Sequence, residues 1–387
     1  MRTTDHDIVI VGGGPVGSAL AIALSRSDRK VLVLEARSSH TPKDDKRTLA
    51  MSWGSRLILE RLQAWAGIDN PTPIQTIHVS QKGGYGRALL RAEDAGLPAL
   101  GYVVGYASLN RALGETLAGC TAQLMAGATV EDLRSEDGVT VHYRRGGEMH
   151  NASTSLLVLA DGGASLGSRA GATIRVRDYH QQAIVGIVAT SIPHAGIAYE
   201  RFTREGPVAL LPFRDRFALV WTLADDDAPR VSALADDAFL ARLQAHFGDR
   251  VGRFLSISEK AHFPLTLRYA TEPVLSRVVL LGNAAQALHT IAGQGFNLGL
   301  RDAWELADAV ALDNNSDAGS AKMLARYRTM RNPDRLGGIA VTDSLVRIFS
   351  NDAVPLRAAR GGGLALLDLL PGLKRALMQR MIFGASQ

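Results

Sequence analysis

Ile8-Val9-Ile10-Val11 is apolar and mostly β-branched, as a strand covered on both faces must be. A glycine-rich turn follows over residues 12–17. Residues 18–25 then mix Ala19, Ala21 and Ala23 with Leu20, Ile22 and Leu24, and predict a helix. Val31-Leu32-Val33-Leu34 predicts a second buried strand, closed by Glu35. Together these make one βαβ unit. Two later runs, Leu156-Leu157-Val158-Leu159-Ala160 and Val278-Val279-Leu280-Leu281, are apolar throughout. They end at Asp161-Gly162 and Gly282-Asn283, and predict central parallel strands that deliver loops at their carboxyl ends.

Between these runs the texture changes. Residues 183–188, 198–203, 208–212 and 217–222 are strand-length pieces separated by turn residues, which predicts an antiparallel sheet inserted into an α/β body. Helices are expected over 235–247, 302–312, 321–331 and 336–348. The expected organisation is a discontinuous Rossmann-like domain (1–75, 102–178 and 270–330), a second domain (76–101 and 179–269) and a C-terminal helical region (331–387). No internal repeat or low-complexity tract is present.

With 387 residues, 46% of them hydrophobic, the chain can bury a large core, so disordered and fibrous classes are excluded. The single cysteine, Cys120, rules out an internal disulfide and fits a reducing compartment. The histidines lack H-x-x-x-H spacing, and no metal site is expected. A net charge of +5 suits anionic partners or an ordinary solvated surface, but no basic run interleaves with aromatics, so nucleic acid is not expected. The uncharged run from Ile8 is broken by Gly12-Gly13-Gly14-Pro15, so no spanning segment is expected there, and acids in Met1-Arg2-Thr3-Thr4-Asp5-His6-Asp7 are unlike a secretory leader.

Gly12-Gly13-Gly14-Pro15-Val16-Gly17 matches G-x-G-x-x-G in the context that the motif requires: strand before, helix after, acid at the end of the next strand. Gly12 permits the tight turn, Gly14 lets the backbone approach a pyrophosphate, and Gly17 lets helix and strand pack. The helix start offers free N–H groups to the phosphates, and Glu35 offers a carboxylate to a ribose diol. An acid there favours FAD or NAD over NADP. Far along the chain, Gly293 and Gly295 bare main-chain N–H groups before a helix, where negative charge on a reduced flavin would be stabilised. A competing pattern, Gly163-Ala164-Ser165-Leu166-Gly167, matches a hydrolase elbow that His289 could serve, but Asp161-Gly162 explains the same loop better.

With these motifs in order, the chain resembles the FAD-dependent aromatic hydroxylases (class A flavin monooxygenases). The fingerprint, the Ala160-Asp161-Gly162 motif and the segment from Gly282 cover nearly the whole chain. The loop 292–302, Ala-Gly-Gln-Gly-Phe-Asn-Leu-Gly-Leu-Arg-Asp, with Arg47-Thr48-Leu49-Ala50 and Tyr102-Val103-Val104, is similar to the ubiquinone-biosynthesis branch. Asn283 and Gln286 replace the usual Asp and His, as in the 2-polyprenyl-6-methoxyphenol hydroxylases of the UbiH type. Thr290 stands where the family has proline.

The resemblance implies a p-hydroxybenzoate-hydroxylase-like fold, FAD as cofactor and NADPH or NADH as co-substrate. It implies dioxygen activation as a C4a-hydroperoxyflavin and hydroxylation of a polyprenylphenol. It assigns cofactor binding to Gly12, Gly14, Pro15, Gly17, Glu35, Ala36, Arg47, Arg111, Asp161, Gly282 and Asn283. It turns Thr290, Gly293, Gln294, Gly295, Phe296 and Asn297 toward the isoalloxazine. No catalytic base stands out, and Phe213, Phe217 and Trp221 are candidate walls of the substrate site. A polyprenyl substrate implies a cytoplasmic enzyme peripheral at the membrane face or associated with quinone-pathway proteins, with Leu364, Leu366, Leu367, Leu369, Leu370, Lys374, Arg375 and Arg380 as candidate surface; a homo-oligomer is compatible with this. The competing readings are a flavin-binding accessory subunit without turnover, a hydroxylase of another aromatic, an NAD-dependent dehydrogenase and a hydrolase.

Overall fold

The computed structural model describes residues 4–38, 45–84, 86–135, 138–163, 165–288, 293–313, 317–349 and 354–384. In chain order the elements are β1 (His6–Val11), α1 (Pro15–Leu24), β2 (Val31–Glu35), β3 (Thr48–Ser52), α2 (Trp53–Arg61), β4 (Thr72–Ile74), β5 (Thr76–Gln81), β6 (Arg87–Arg91), β7 (Gly101–Gly105), α3 (Tyr106–Ala118), β8 (Gln123–Ala126), β9 (Thr129–Ser135), β10 (Val139–Arg145) and β11 (Glu148–Leu159). They continue with α4 (Ser165–Arg169), β12 (Ile174–Thr190), β13 (Ile197–Phe202), β14 (Val208–Phe213), β15 (Arg216–Ala224), α5 (Ala228–Ser232), α6 (Asp236–Phe247), β16 (Phe254–Ala270), β17 (Val274–Leu275), β18 (Val278–Leu280), β19 (Gln286–Ala287), α7 (Gln294–Ala311), α8 (Ala321–Phe349), α9 (Val354–Leu369) and α10 (Pro371–Phe383).

The all-apolar runs are central for a physical reason: helices and a hairpin cover both faces of their sheet. β18, β11, β1, β2 and β8 lie side by side in parallel, with Ile10 opposite Val158 on one side and Val33 on the other. One face packs on α1, α3 and α7 through Leu20, Leu113 and Leu306. The other packs under β9 and β10, where Val141 and Tyr143 meet Leu157 and Leu159. The A-D-G and Gly282 loops therefore leave the same sheet edge as the fingerprint turn.

A second sheet runs β19-β16-β12-β15-β14-β13-β5-β6, and a small third sheet runs β3-β7-β4. β12 and β16 are each 17 residues long and pair along most of their length within the second sheet, so β12 runs on past residue 178. α5 and α6 cover one face of the second sheet, with Trp221, Phe217, Phe239 and Phe247 at the centre of that core.

Two helices differ from the sequence expectation. α7 begins at Gln294, well before residue 302, because Gly293 takes a left-handed φ of 58° that turns the chain into the helix. α8 runs unbroken through Pro333, where a break was expected. Side chains on both sides of the proline, Arg331 and Asp334, are locked into a buried ion-pair cluster with α7, which outweighs the missing backbone hydrogen bond.

Candidate active site

The three fingerprint glycines are glycine for different reasons. Gly12 has φ 104°, and a Cβ there would sit 2.5 Å from the Ala160 carbonyl oxygen. A Cβ on Gly17 would fall 2.0 Å from the Gly12 carbonyl oxygen. Both positions are closed by backbone. A Cβ on Gly14 would meet nothing within 4 Å. Gly14 therefore borders open space at the start of α1, beside first-turn N–H groups that no helical carbonyl can satisfy. Pro15 occupies the first turn, where its missing N–H costs nothing. This is the cradle that a diphosphate requires.

Glu35 ends β2 and is 5% exposed. Its carboxylate accepts the Gly13 N–H at 2.7 Å, the Arg37 N–H at 2.9 Å and the Arg37 Nε–H at 2.8 Å. Burial pushes this carboxyl up, but the Arg37 side chain, with the Arg37 and Gly13 N–H groups, outweighs it and holds the group below its ordinary value. A cleft of about 800 Å³ opens here, lined by Gly12, Glu35, Ala36, Thr129, Asp161 and Ser165 among others. Among the described residues Ser165 is bonded to no histidine or carboxylate; His289, the histidine cast for the hydrolase pattern, lies outside them.

The second half of the site is drawn to the first by small residues. A Cβ on Gly282 would lie 3.2 Å from Val16, and one on Gly299 would lie 3.0 Å from both Gly282 and Val16. The fingerprint helix, the Gly282 turn and α7 thus meet at one point. At the start of α7, a Cβ on Gly293 would touch the Ala50 Cβ at 3.2 Å, whereas one on Gly295 would meet nothing within 4 Å. Gly295 is a second open backbone edge at a helix start. Phe296 beside it packs against the main core, and Gln294 is half-buried. Thr290 and His289 lie outside the described residues.

Asn297 occupies a different role from the expected flavin contact. Its Oδ1 accepts the Ser52 N–H at 2.8 Å and the Ser55 hydroxyl at 2.7 Å, and its Nδ2 donates to Ala50 and Gly293 carbonyls at 3.2 and 2.8 Å. All four hydrogen-bonding positions of the amide are taken by protein. Asn297 clamps the start of α7 onto β3 and α2.

Asp161 and Asn283 leave the same sheet edge, and Arg268 from β16 ties their loops together by donating to the Gly162 and Asn283 carbonyls at 2.8 and 3.0 Å. Asp161 is open to solvent on one side, yet the crowding of its loop pushes its carboxyl up, opposed by its own and the Gly163 N–H groups. Arg47 is held by Asp45, with Nε 2.9 Å from Oδ1, and lies over the Tyr106 ring at 4.3 Å. Arg111 gives its guanidinium to Asp69, Glu115 and the Gly67 carbonyl at 2.8–3.1 Å. It joins α3 to the turn at Gly67, and no described contact brings it to the fingerprint.

A family model described as an FAD binding domain matches residues 5–335. The chain belongs to this family. Ubiquinone hydroxylase UbiL of Rhodospirillum rubrum is 35% identical over 383 residues, covering 96% of this chain and 88% of that protein. The 3-demethoxyubiquinol 3-hydroxylase of Escherichia coli is 31% identical over 402 residues, covering 98% and 99% of the two chains. Among solved structures, p-nitrophenol 4-monooxygenase PnpA from Pseudomonas putida matches with a TM-score of 0.78 over the full length of both chains at 17% identity, a likeness of fold. The chain is a flavin-dependent monooxygenase of the aromatic-hydroxylase type.

The sequence points to Gln286 and the Arg301-Asp302 pair but not to the buried cluster that they form with Glu305, Arg331 and Asp334. Gln286 donates to Asp302 Oδ2 at 2.7 Å, and Asp302 Oδ1 accepts Arg331 Nε–H at 2.7 Å. Arg331 also reaches Glu305 at 3.1 Å and Asp334 at 3.0 Å, and Arg301 reaches Asp334 at 2.8 Å. This buried cluster locks the loop after β18 to α7 and α8. At a bulge in β12, Asp178, His180 and Asp225 bring ligand-type atoms within 4.8 Å of one another at the surface, a grouping that spacing alone does not reveal.

The expected substrate walls need correction. Phe217 and Trp221 are 1% and 0% exposed and point into the core beneath α6, so neither can touch a ligand on the flavin side. Strand alternation sends Phe213 to the opposite face, where it packs with Ile74, Val103 and Ala198 against the small sheet.

Proposed function

We propose that this chain uses FAD and NADPH or NADH to place one oxygen atom of dioxygen on the ring of a polyprenylphenol, a hydroxylation step of ubiquinone biosynthesis. The observation that carries the reading is that α1 and α7, whose starts carry the open glycine edges Gly14 and Gly295, meet at the Gly282 turn through Val16 and Gly299. The two named relatives, covered over 88% and 99% of their lengths, are a ubiquinone hydroxylase and a 3-demethoxyubiquinol 3-hydroxylase.

In this reading the first-turn N–H groups of α1 bind the diphosphate, Glu35 receives the ribose, and Ala36 borders the adenosine end of the cleft. Pro15 and Gly17 shape the turn. Bound FAD supplies the hydride acceptance and oxygen activation that no side chain can. The N–H groups at the start of α7 would offer partial positive charge to a bound flavin and so favour its reduced, negatively charged form. Asn283 meets the phosphate side with a neutral amide, which avoids repulsion of the diphosphate. Asp161 and Arg47 border the same edge, and Arg111 acts through the turn it braces.

Among the described residues no helix is long and apolar enough to cross a membrane. Leu366, Leu369, Leu370 and Leu373 are 45–76% exposed at the corner between α9 and α10, with Arg375 exposed beside them. That corner suits peripheral contact with an anionic bilayer, where the substrate resides.

Purified protein should be yellow, and a short-chain prenylphenol should accelerate its oxidation of NADPH or NADH with formation of hydroxylated product. Colourless protein would contradict the reading. Bound FAD that neither donor reduces, with the phenol present, would point instead to an accessory subunit.

A further inference from the structure

A polar row crosses three strands at the edge of the second sheet. Arg201 on β13 pairs with Ser80 on β5, and Ser80 pairs with Arg87 on β6. Paired residues share a face, and neighbouring strands lie about 4.8 Å apart, so the two arginines flank the serine with their Cα atoms about 10 Å from each other. Arg201 opposes Val208, a core residue beneath α5 and α6, which puts the row on the α6 side of the sheet. The end of α6 brings a third arginine. The Arg201 guanidinium lies 5.8 Å from the centre of the Phe247 ring, a Cβ on Gly248 would be 3.8 Å from Arg201 Nη2, and Arg250 follows Gly248 by two residues.

No acid balances these charges. Among the described residues Arg87, Arg201 and Arg250 have no ion-pair partner, and Arg201 Nε is buried without a hydrogen bond. The acids adjacent in the chain are engaged elsewhere. Glu205 Oε2 lies 3.4 Å from His246 Nδ1 and 3.9 Å from Arg242, and Asp249 accepts from Gln244 at 2.9 Å. Strand alternation sends Glu200 to the opposite face.

Two neutral donors lie on the same face. His78, two residues before Ser80, is 5% exposed, and neither of its ring nitrogens bonds to another described residue. Buried polar atoms are ordinarily paired. The ring packs on Tyr199 with centroids 5.6 Å apart. Burial, with Arg250, Arg87 and Arg201 around it, holds the imidazole below its ordinary value, so at pH 7 it is neutral and keeps one N–H to donate. Ser80 is buried as well, and its hydroxyl has no partner among the described residues. Like charges gathered around neutral donors repel one another until an anion joins them.

We propose that His78, Ser80, Arg87, Arg201 and Arg250 bind a phosphoryl group, the dianion of a phosphate monoester. Its three acceptor oxygens and nearly two negative charges match three guanidinium groups, a hydroxyl and an imidazole N–H better than the single charge of a carboxylate does. The site shares no residue with the diphosphate cradle at α1. A soluble phosphorylated metabolite and a phosphomonoester lipid headgroup present the same group to it.

The test uses protein saturated with FAD. Inorganic phosphate is titrated by calorimetry at constant ionic strength into wild type, Arg87→Gln and Arg250→Gln. Both arginines are exposed, so both variants should fold and melt as wild type does in chloride. Wild type should bind phosphate, and each variant should bind it about 10-fold more weakly or worse. A second readout is confined to the site. In protein with ¹⁵N-labelled histidine, phosphate should shift the imidazole signal that His78→Gln removes. Flotation with phosphatidylcholine vesicles, with and without phosphatidic acid, separates the two sources. Binding to phosphatidic acid that both arginine variants lose supports a lipid headgroup, whereas vesicle behaviour that they leave unaltered supports a soluble monoester. No phosphate binding by wild type, affinities of both variants within about twofold of it, or a His78 signal indifferent to phosphate would overturn the proposal. None of these readouts depends on hydroxylation.

Discussion

Replacing Gly14 by alanine should separate flavin binding from folding. Gly14 has φ −68° and ψ 179°, which alanine adopts without strain. The added methyl meets nothing within 4 Å. Reduced freedom of the unfolded chain favours the variant by about 0.4–1 kcal/mol, and alanine's weaker helix capping offsets much of that. The apoprotein should therefore melt within about 2 °C of wild type. Bound FAD is another matter, because the methyl enters the space where the diphosphate must approach the N–H groups of α1. Two charge-assisted hydrogen bonds at about 1.5–3 kcal/mol each are lengthened or lost, which weakens binding by a factor of about 10²–10⁴. Gly17→Ala supplies the contrast. Its methyl would stand 2.0 Å from the Gly12 carbonyl oxygen, so strand and helix must separate. Overpacking of this kind costs about 1–3 kcal/mol and should lower the melting temperature as well. Scanning calorimetry of apoprotein and titration of FAD by flavin fluorescence read the two effects separately. FAD binding by Gly14→Ala within fivefold of wild type would refute the placement of the diphosphate.

Asn297→Ala should strip partners from the Ser52 N–H and the Ser55 hydroxyl and from two carbonyls, and lower stability by about 2–4 kcal/mol in urea titration. Arg331→Met should cost about 3–5 kcal/mol by the same measurement, because Asp302 and Asp334 stay buried with less compensation. Glu35 has a lowered carboxyl, so its contribution is present above the ordinary value of 4.5 and fades as pH falls through its folded value. Glu35→Gln should melt below wild type at pH 7, and melting curves at lower pH should converge; a constant gap would contradict the Arg37 pairing.

The βαβ opening was legible because strands covered on both faces must be apolar throughout, and because Gly12, Gly14 and Gly17 leave a spacing that few other structures need. The reach of the Gly282 and Gly293 loops to that turn was legible as a motif, but its physical cause, Gly299 against Gly282 and Val16, needed the folded chain. Asn297 read as a flavin contact because its partners Ser52 and Ser55 are remote in sequence. Phe217 and Trp221 were misread for one reason. Both faces of their sheet are covered, so alternation alone does not say which face meets α6 and which meets the flavin side. Pro333 predicted a helix break because local rules do not see the ion pairs that Arg331 and Asp334 make with α7.

The fate of oxygen tests the account most directly. Purified enzyme supplied with FAD, NADPH or NADH and a short-chain prenylphenol under ¹⁸O₂ should yield a phenol carrying one additional hydroxyl, with one ¹⁸O atom in it by mass spectrometry. A product labelled from water instead, or NAD(P)H consumed with no oxygen entering the ring, would contradict a monooxygenase built around Gly14 and Gly295.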